Sequence, residues 1–113
     1  MQQQSFDSSL LIVLMLLIAS FVLTGCDSEL SGADLYTLNC AGCHGAAGKG
    51  GSTIALSDAA YLATHDDKTM TQLTSEGVPN TVMRAFGKTK GGTLTDEQIT
   101  AIVKYLCSAR TTN

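Results

Sequence analysis

Cys40-Ala41-Gly42-Cys43-His44 stands near the middle of the 113-residue chain, with Gly45 directly after it. Two cysteines three apart, with a histidine next to the second, match the spacing for covalent attachment of a haem. Residues i and i+3 of a helical turn share one face, so both sulfurs can lie along one porphyrin edge and add to its two vinyl groups. The next residue then offers its imidazole to the iron. Taken alone, a Cys-x-x-Cys pair also fits a thioredoxin-like redox centre, half of a zinc site or a disulfide. His44 and the sequence on either side narrow these readings sharply in favour of haem.

The length allows one domain. A formal net charge of −3 and a pI near 5.1 lack the basic footprint of nucleic-acid binders, so no nucleic-acid partner is expected. Aromatic residues make up 5% of the chain and tryptophan is absent, which leaves the protein part of the core thin. A covalently held porphyrin would fill that deficit with a rigid apolar disc.

Leu10 to Leu23 is apolar except for Ser20, fourteen residues in all. That is short for a membrane-spanning helix, which needs about twenty, and suits the core of an export signal. The run ends in Leu23-Thr24-Gly25-Cys26, which resembles a bacterial lipobox. The resemblance implies residues 1–25 as a lipoprotein signal peptide, cleavage after Gly25 and lipidation of Cys26. Residues 26–32 would be a short tether and 33–113 the folded domain. Met1 to Ser9 carries no Lys or Arg, where a signal is normally positive, so an uncleaved membrane anchor is the alternative. Both readings place the domain in the cell envelope, on the outer, periplasmic face of the cytoplasmic membrane. Six extended residues reach at most about 20 Å, which favours a partner that is itself in the membrane. Cys107 remains: either a small hydrophobe on the last helix or, without lipidation, a disulfide partner for Cys26.

Helix signals follow in order. Ser31 and Asp34 form a variant capping box opening a helix through Leu35, Tyr36 and Leu38 into the motif. Gly45, Gly48, Gly50 and Gly51 make a loop able to pass close to a porphyrin edge. A short helix is expected from Ser57-Asp58 to Ala63. Asp66 or Asp67 caps another, with Met70 and Leu73 on one face and Gly77 as its stop. Pro79 forces Val78 out of the helical region, and the loop so begun carries Met83. Thr95 and Gln98 form a second capping box, Leu94 and Ile99 a hydrophobic staple, and Ile99, Ile102, Val103 and Leu106 an apolar stripe. With no strand pattern, the domain reads as all-α.

With these residues in place the sequence resembles a class I, mono-haem cytochrome c of bacterial lipoprotein type, over nearly all of the chain after Gly25. Gly32 and Tyr36 stand where that family packs its first helix on its last, answered by Ile102 and Tyr105. Residues 77–86, Gly-Val-Pro-Asn-Thr-Val-Met-Arg-Ala-Phe, resemble the distal ligand loop. Gly91-Gly92-Thr93-Leu94-Thr95 resembles the lead into the final helix. Arg84 stands where the family usually has a proline. Thr53-Ile54-Ala55 stands where the family commonly has a proline whose carbonyl accepts the proximal imidazole proton.

The resemblance implies three to five short helices around one haem c, thioethers to Cys40 and Cys43, His44 as proximal and Met83 as distal axial ligand. Met70 on its helix face and His65 between two helices remain the competing distal side chains. Arg84, Lys88, Lys90 and Lys49 form either a positive rim that steers an acidic partner or an ordinary solvated surface. The implied function is a membrane-tethered carrier of single electrons between redox partner proteins, either mobile or fixed in a respiratory or photosynthetic complex. The alternatives are a haem enzyme with a displaceable distal ligand, peroxidase-like or oxidising sulfur compounds, and a thiol or zinc protein without haem.

Overall fold

The structure, a computed structural model, describes residues 11–14 and 29–111. Cys26 and the cleavage position after Gly25 lie outside the described residues. Residues 11–14 are helical, and no helix among the described residues is long and apolar enough to cross a membrane.

Helix α1, Gly32–Asn39, starts where the sequence says it should. The Ser31 hydroxyl accepts from the Asp34 N–H at 3.2 Å, and the Asp34 carboxylate accepts from the Ser31 N–H at 3.3 Å. The stretch expected to be tether therefore ends inside the fold, with Ser31 as cap and Gly32 as first helical residue. The helix does not run on into the motif. At Cys40 the backbone leaves helical geometry (φ −122°, ψ −35°), and Ala41–His44 forms a separate turn, α2. The Asn39 side-chain amide turns back over the last turn and donates to the Leu35 carbonyl at 2.8 Å.

Helix α3, Ala59–Thr64, is capped by Asp58, and α4, Asp67–Glu76, by Asp66. Gly77, at φ +77°, ends α4. Helix α5, Asp96–Cys107, opens with the Thr95–Gln98 capping box. Short 3-10 turns at Ala46–Gly48, Lys88–Lys90 and Ser108–Thr111 complete the path. Among the described residues there is no strand, only an isolated bridge between Gly87 and Leu94.

The apolar stripe of α5 is the centre of the core. Ile99, Ile102, Val103 and Leu106 are buried against Leu35 and Tyr36 of α1, Met70 of α4 and Leu94. Helices α1 and α5 cross at a point that only glycine allows. A Cβ on Gly32 would lie 2.1 Å from the Ala101 carbonyl oxygen. Beside that crossing the Tyr36 and Tyr105 rings meet at 5.6 Å and 50°, a tilted contact favoured by aromatic quadrupoles.

This crossing gives a clean pair of outcomes. Gly32→Ala forces two helices apart and should cost about 1–3 kcal/mol of stability. Gly42→Ala, in α2, meets nothing within 4 Å and relieves a helical glycine, so it should be neutral or stabilising by up to about 1 kcal/mol. Denaturant titration of the two variants checks both.

Candidate functional site

The site is built from the motif outward. His44 closes α2 and is 9% exposed. Its Nδ1 lies 3.0 Å from the Ile54 carbonyl oxygen and 3.0 Å from the Thr53 hydroxyl. A carbonyl only accepts, so Nδ1 carries the proton and Nε2 keeps its lone pair. Among the described residues Nε2 has no hydrogen-bond partner, and the ring lines a cavity. The acceptor that the sequence left unassigned within Thr53-Ile54-Ala55 is thus Ile54.

The chain after His44 folds back under the motif to bring that acceptor in. Gly50 N–H donates to the His44 carbonyl at 2.8 Å, and Thr53 N–H to the Cys43 carbonyl at 3.1 Å. A side chain at Gly45 (φ +77°) would run into the Gly50 carbonyl oxygen at 2.0 Å, so this reversal needs glycine. Tyr36, wholly buried, donates its hydroxyl to the Gly45 carbonyl at 2.8 Å and so ties the same turn to α1.

The cavity measures about 580 Å³ and is walled by the end of α1, the motif, residues 53–56, α3, α4, the 78–86 loop and α5. That is the size range of cofactor pockets. Cys40, Cys43, His44 and Met83 all line it. So do Leu38, Ile54 and Val82, which are 71%, 57% and 88% exposed, large apolar side chains with little protein over them. An apolar disc joined to the two thiols and approached by His44 fits this set: it covers the apolar rim and meets the free Nε2. The thiols of Cys40, Cys43 and Cys107 are unbridged. Burial, and then the neighbouring Cys43, pushes the Cys40 thiol up to about 11. Among the described residues no three His, Cys, Asp or Glu side chains converge on a common point, so Cys40 and Cys43 lack the further ligands of a zinc site.

The loop that carries Met83 lines the same cavity. Its backbone is held at both ends: Val78 N–H donates to the Met83 carbonyl at 2.9 Å, and Met83 N–H to the Thr81 hydroxyl at 3.1 Å. Phe86 and Gly87 then donate to the Thr74 and Ser75 carbonyls at 3.1 Å each, strapping the loop onto the end of α4. The Met83 carbonyl comes within 2.8 Å of where a Gly77 Cβ would stand. The stiffness that a proline after Met83 would give is supplied here by these contacts.

The competing distal side chains separate. Met70 also lines the cavity, but it is buried, and the Cys107 thiol sits 3.7 Å from its sulfur. His65 does not line the cavity; it caps α3 and stacks on Tyr61 at 4.0 Å and 11°. Cys107 is buried on α5, and burial pushes its thiol up to about 11. Arg110 pairs with Asp67 and donates to the His65 carbonyl, pinning the chain end to the α3–α4 junction. Of the basic rim, Lys90 pairs with Glu76 at 3.6 Å, whereas Arg84 lies 5.2 Å over the Phe86 ring at the cavity. Thr53 and the Tyr36 hydroxyl carried no signal in the sequence, because only the loop's return brings them to the motif.

A family model described as cytochrome c matches residues 30–110. No curated protein matches the chain.

The Tyr36 hydroxyl yields a pH prediction. Burial, and then the nearby Cys40, pushes it up from 10 to about 12, so the fold favours the neutral phenol. Its contribution is complete below pH 10 and is lost as pH rises from 10 to about 12. Tyr36→Phe should lose about 1 kcal/mol at neutral pH and show a shallower fall in stability over that alkaline window, measured by denaturant midpoint against pH.

Proposed function

The chain belongs to the cytochrome c family, with the family's all-α class I fold, covalent haem c and single-electron carriage; from that premise we propose a membrane-tethered carrier in which His44 and Met83 are the axial ligands. Cys40 and Cys43 would hold the haem through thioethers, each thiol adding its sulfur and hydrogen across one vinyl group with no net gain or loss of electrons. Bound there, haem supplies a one-electron couple at its iron.

What supports the ligand assignment is the shared cavity: its lining includes both His44, with its Nδ1 proton fixed, and Met83, with its backbone fixed. An imidazole whose ring is fixed and a loop whose backbone is fixed suit a ligand pair that must change little between oxidation states. A thioether opposite imidazole raises the reduction potential.

The tether rests on the sequence. Lipidated Cys26 would hold the domain within about 20 Å of the outer face of the cytoplasmic membrane. Redox partners in or on that membrane then meet it at raised effective concentration. Arg84, exposed at the cavity and without a carboxylate partner among the described residues, offers an acidic partner a point of approach.

Met83→Ala should lower the midpoint potential by about 0.1 V or more, a fraction of the ≈0.8 V that axial ligands span. Met70→Leu should leave it nearly unchanged; the reverse pattern would transfer the distal role to Met70. Mass spectrometry of the membrane-extracted protein should find a chain that begins at Cys26 and carries acyl groups there, and a chain that retains residues 1–25 would contradict the lipid anchor.

A further inference from the structure

The resemblance to cytochromes c implies a backbone carbonyl as acceptor for the proximal imidazole proton. This chain adds a side chain. The Thr53 hydroxyl lies 3.0 Å from His44 Nδ1 and 3.1 Å from the Cys43 carbonyl oxygen. The two contacts fix its polarity. The Cys43 carbonyl can only accept, so the hydroxyl proton is directed there; the hydroxyl lone pairs are left for the Nδ1 proton. Ile54, the next residue, offers its carbonyl to that same proton at 3.0 Å.

We propose that Thr53 is a positioning residue for the proximal ligand, sharing the His44 Nδ1 proton with the Ile54 carbonyl and bracing the ring against the backbone of Cys43. The proposal rests on the reading of His44 as an iron ligand.

Two acceptors on consecutive residues bracket one N–H, so the ring is restrained against rotation more than a single carbonyl would restrain it. Thr53 also grips Cys43 twice, through its hydroxyl and its own N–H, each 3.1 Å from the Cys43 carbonyl oxygen. One residue thereby couples the second attachment point to the orientation of the ligand that follows it. Partners of the outer nitrogen raise the basicity of the metal-bound one. A more basic Nε2 favours the ferric state, so the hydroxyl lowers the potential.

The test compares haem-loaded wild type, Thr53→Val, which keeps the shape and loses the hydroxyl, and Thr53→Ser, which keeps the hydroxyl. Midpoint potential and the His44 Nδ1 proton resonance of the reduced, diamagnetic protein are the readouts. Thr53→Val should move the equilibrium about fivefold toward the reduced form, the effect of about one neutral hydrogen bond. At 59 mV per decade that is about 40 mV upward. The Nδ1 proton should shift upfield, and Thr53→Ser should restore both readouts. A haem-loaded Thr53→Val with wild-type potential and resonance, or a Thr53→Ser that behaves like it, overturns the role of Thr53 alone. If Thr53→Val does not accumulate, the wild-type spectrum decides: a cross-peak between the Nδ1 proton and the Thr53 β-proton supports the contact, and its absence overturns it. A reduced spectrum showing no haem ligated by His44 in the wild type overturns the underlying reading as well, and is seen by absorption before any variant is made.

Discussion

Everything in this molecule depends on the approach of α1 to α5 at Gly32. A missing side chain there lets two backbones touch, and the touch brings residues from opposite ends of the domain into one core. Tyr36, one turn further along α1, is wholly buried by the same approach and reaches the Gly45 carbonyl. Through that hydrogen bond the helix crossing fixes the turn that closes the motif. The position of His44 is therefore set by packing some distance away as well as by its own neighbours.

The second constraint is the incompleteness of the protein core. Among the described residues ten apolar ones are buried, most of them on α1 and α5, while the cavity side of the domain leaves Leu38, Ile54 and Val82 largely open. Covering a side chain of this kind contributes about 1.5–3 kcal/mol when burial is complete. The cofactor in this family is thus part of the core as well as the redox centre. With haem in place, the apolar wall would lower the local dielectric and exclude water around His44, the condition under which few fixed dipoles can tune a potential.

The helices were legible wherever a short-range chemical device marks them. Ser31–Asp34 and Thr95–Gln98 are capping boxes in the sequence and in the structure, and Asp58 and Asp66 cap the helices that follow them. The stripe from Ile99 to Leu106 announces its burial by spacing alone. What the sequence does not carry is loop geometry. The return of residues 50–54 beneath the motif and the straps from Thr74 and Ser75 to the 86–87 backbone are set by hydrogen bonds between residues six to twelve apart along the chain. That is why Ile54 as acceptor and Thr53 as its companion emerge only in three dimensions. Met70 shows the converse: its helical spacing gave its burial, but not that its sulfur lines the same cavity as Met83.

The central claim is that the iron is held on both sides by side chains the fold keeps in place, so that the protein passes electrons rather than binding a substrate. The most direct test is the visible spectrum of the dithionite-reduced wild-type protein before and after carbon monoxide. Sharp low-spin c-type bands that carbon monoxide leaves unmoved are the predicted result. A clear shift on adding the gas would contradict it, because the distal position would then be open to exogenous ligands.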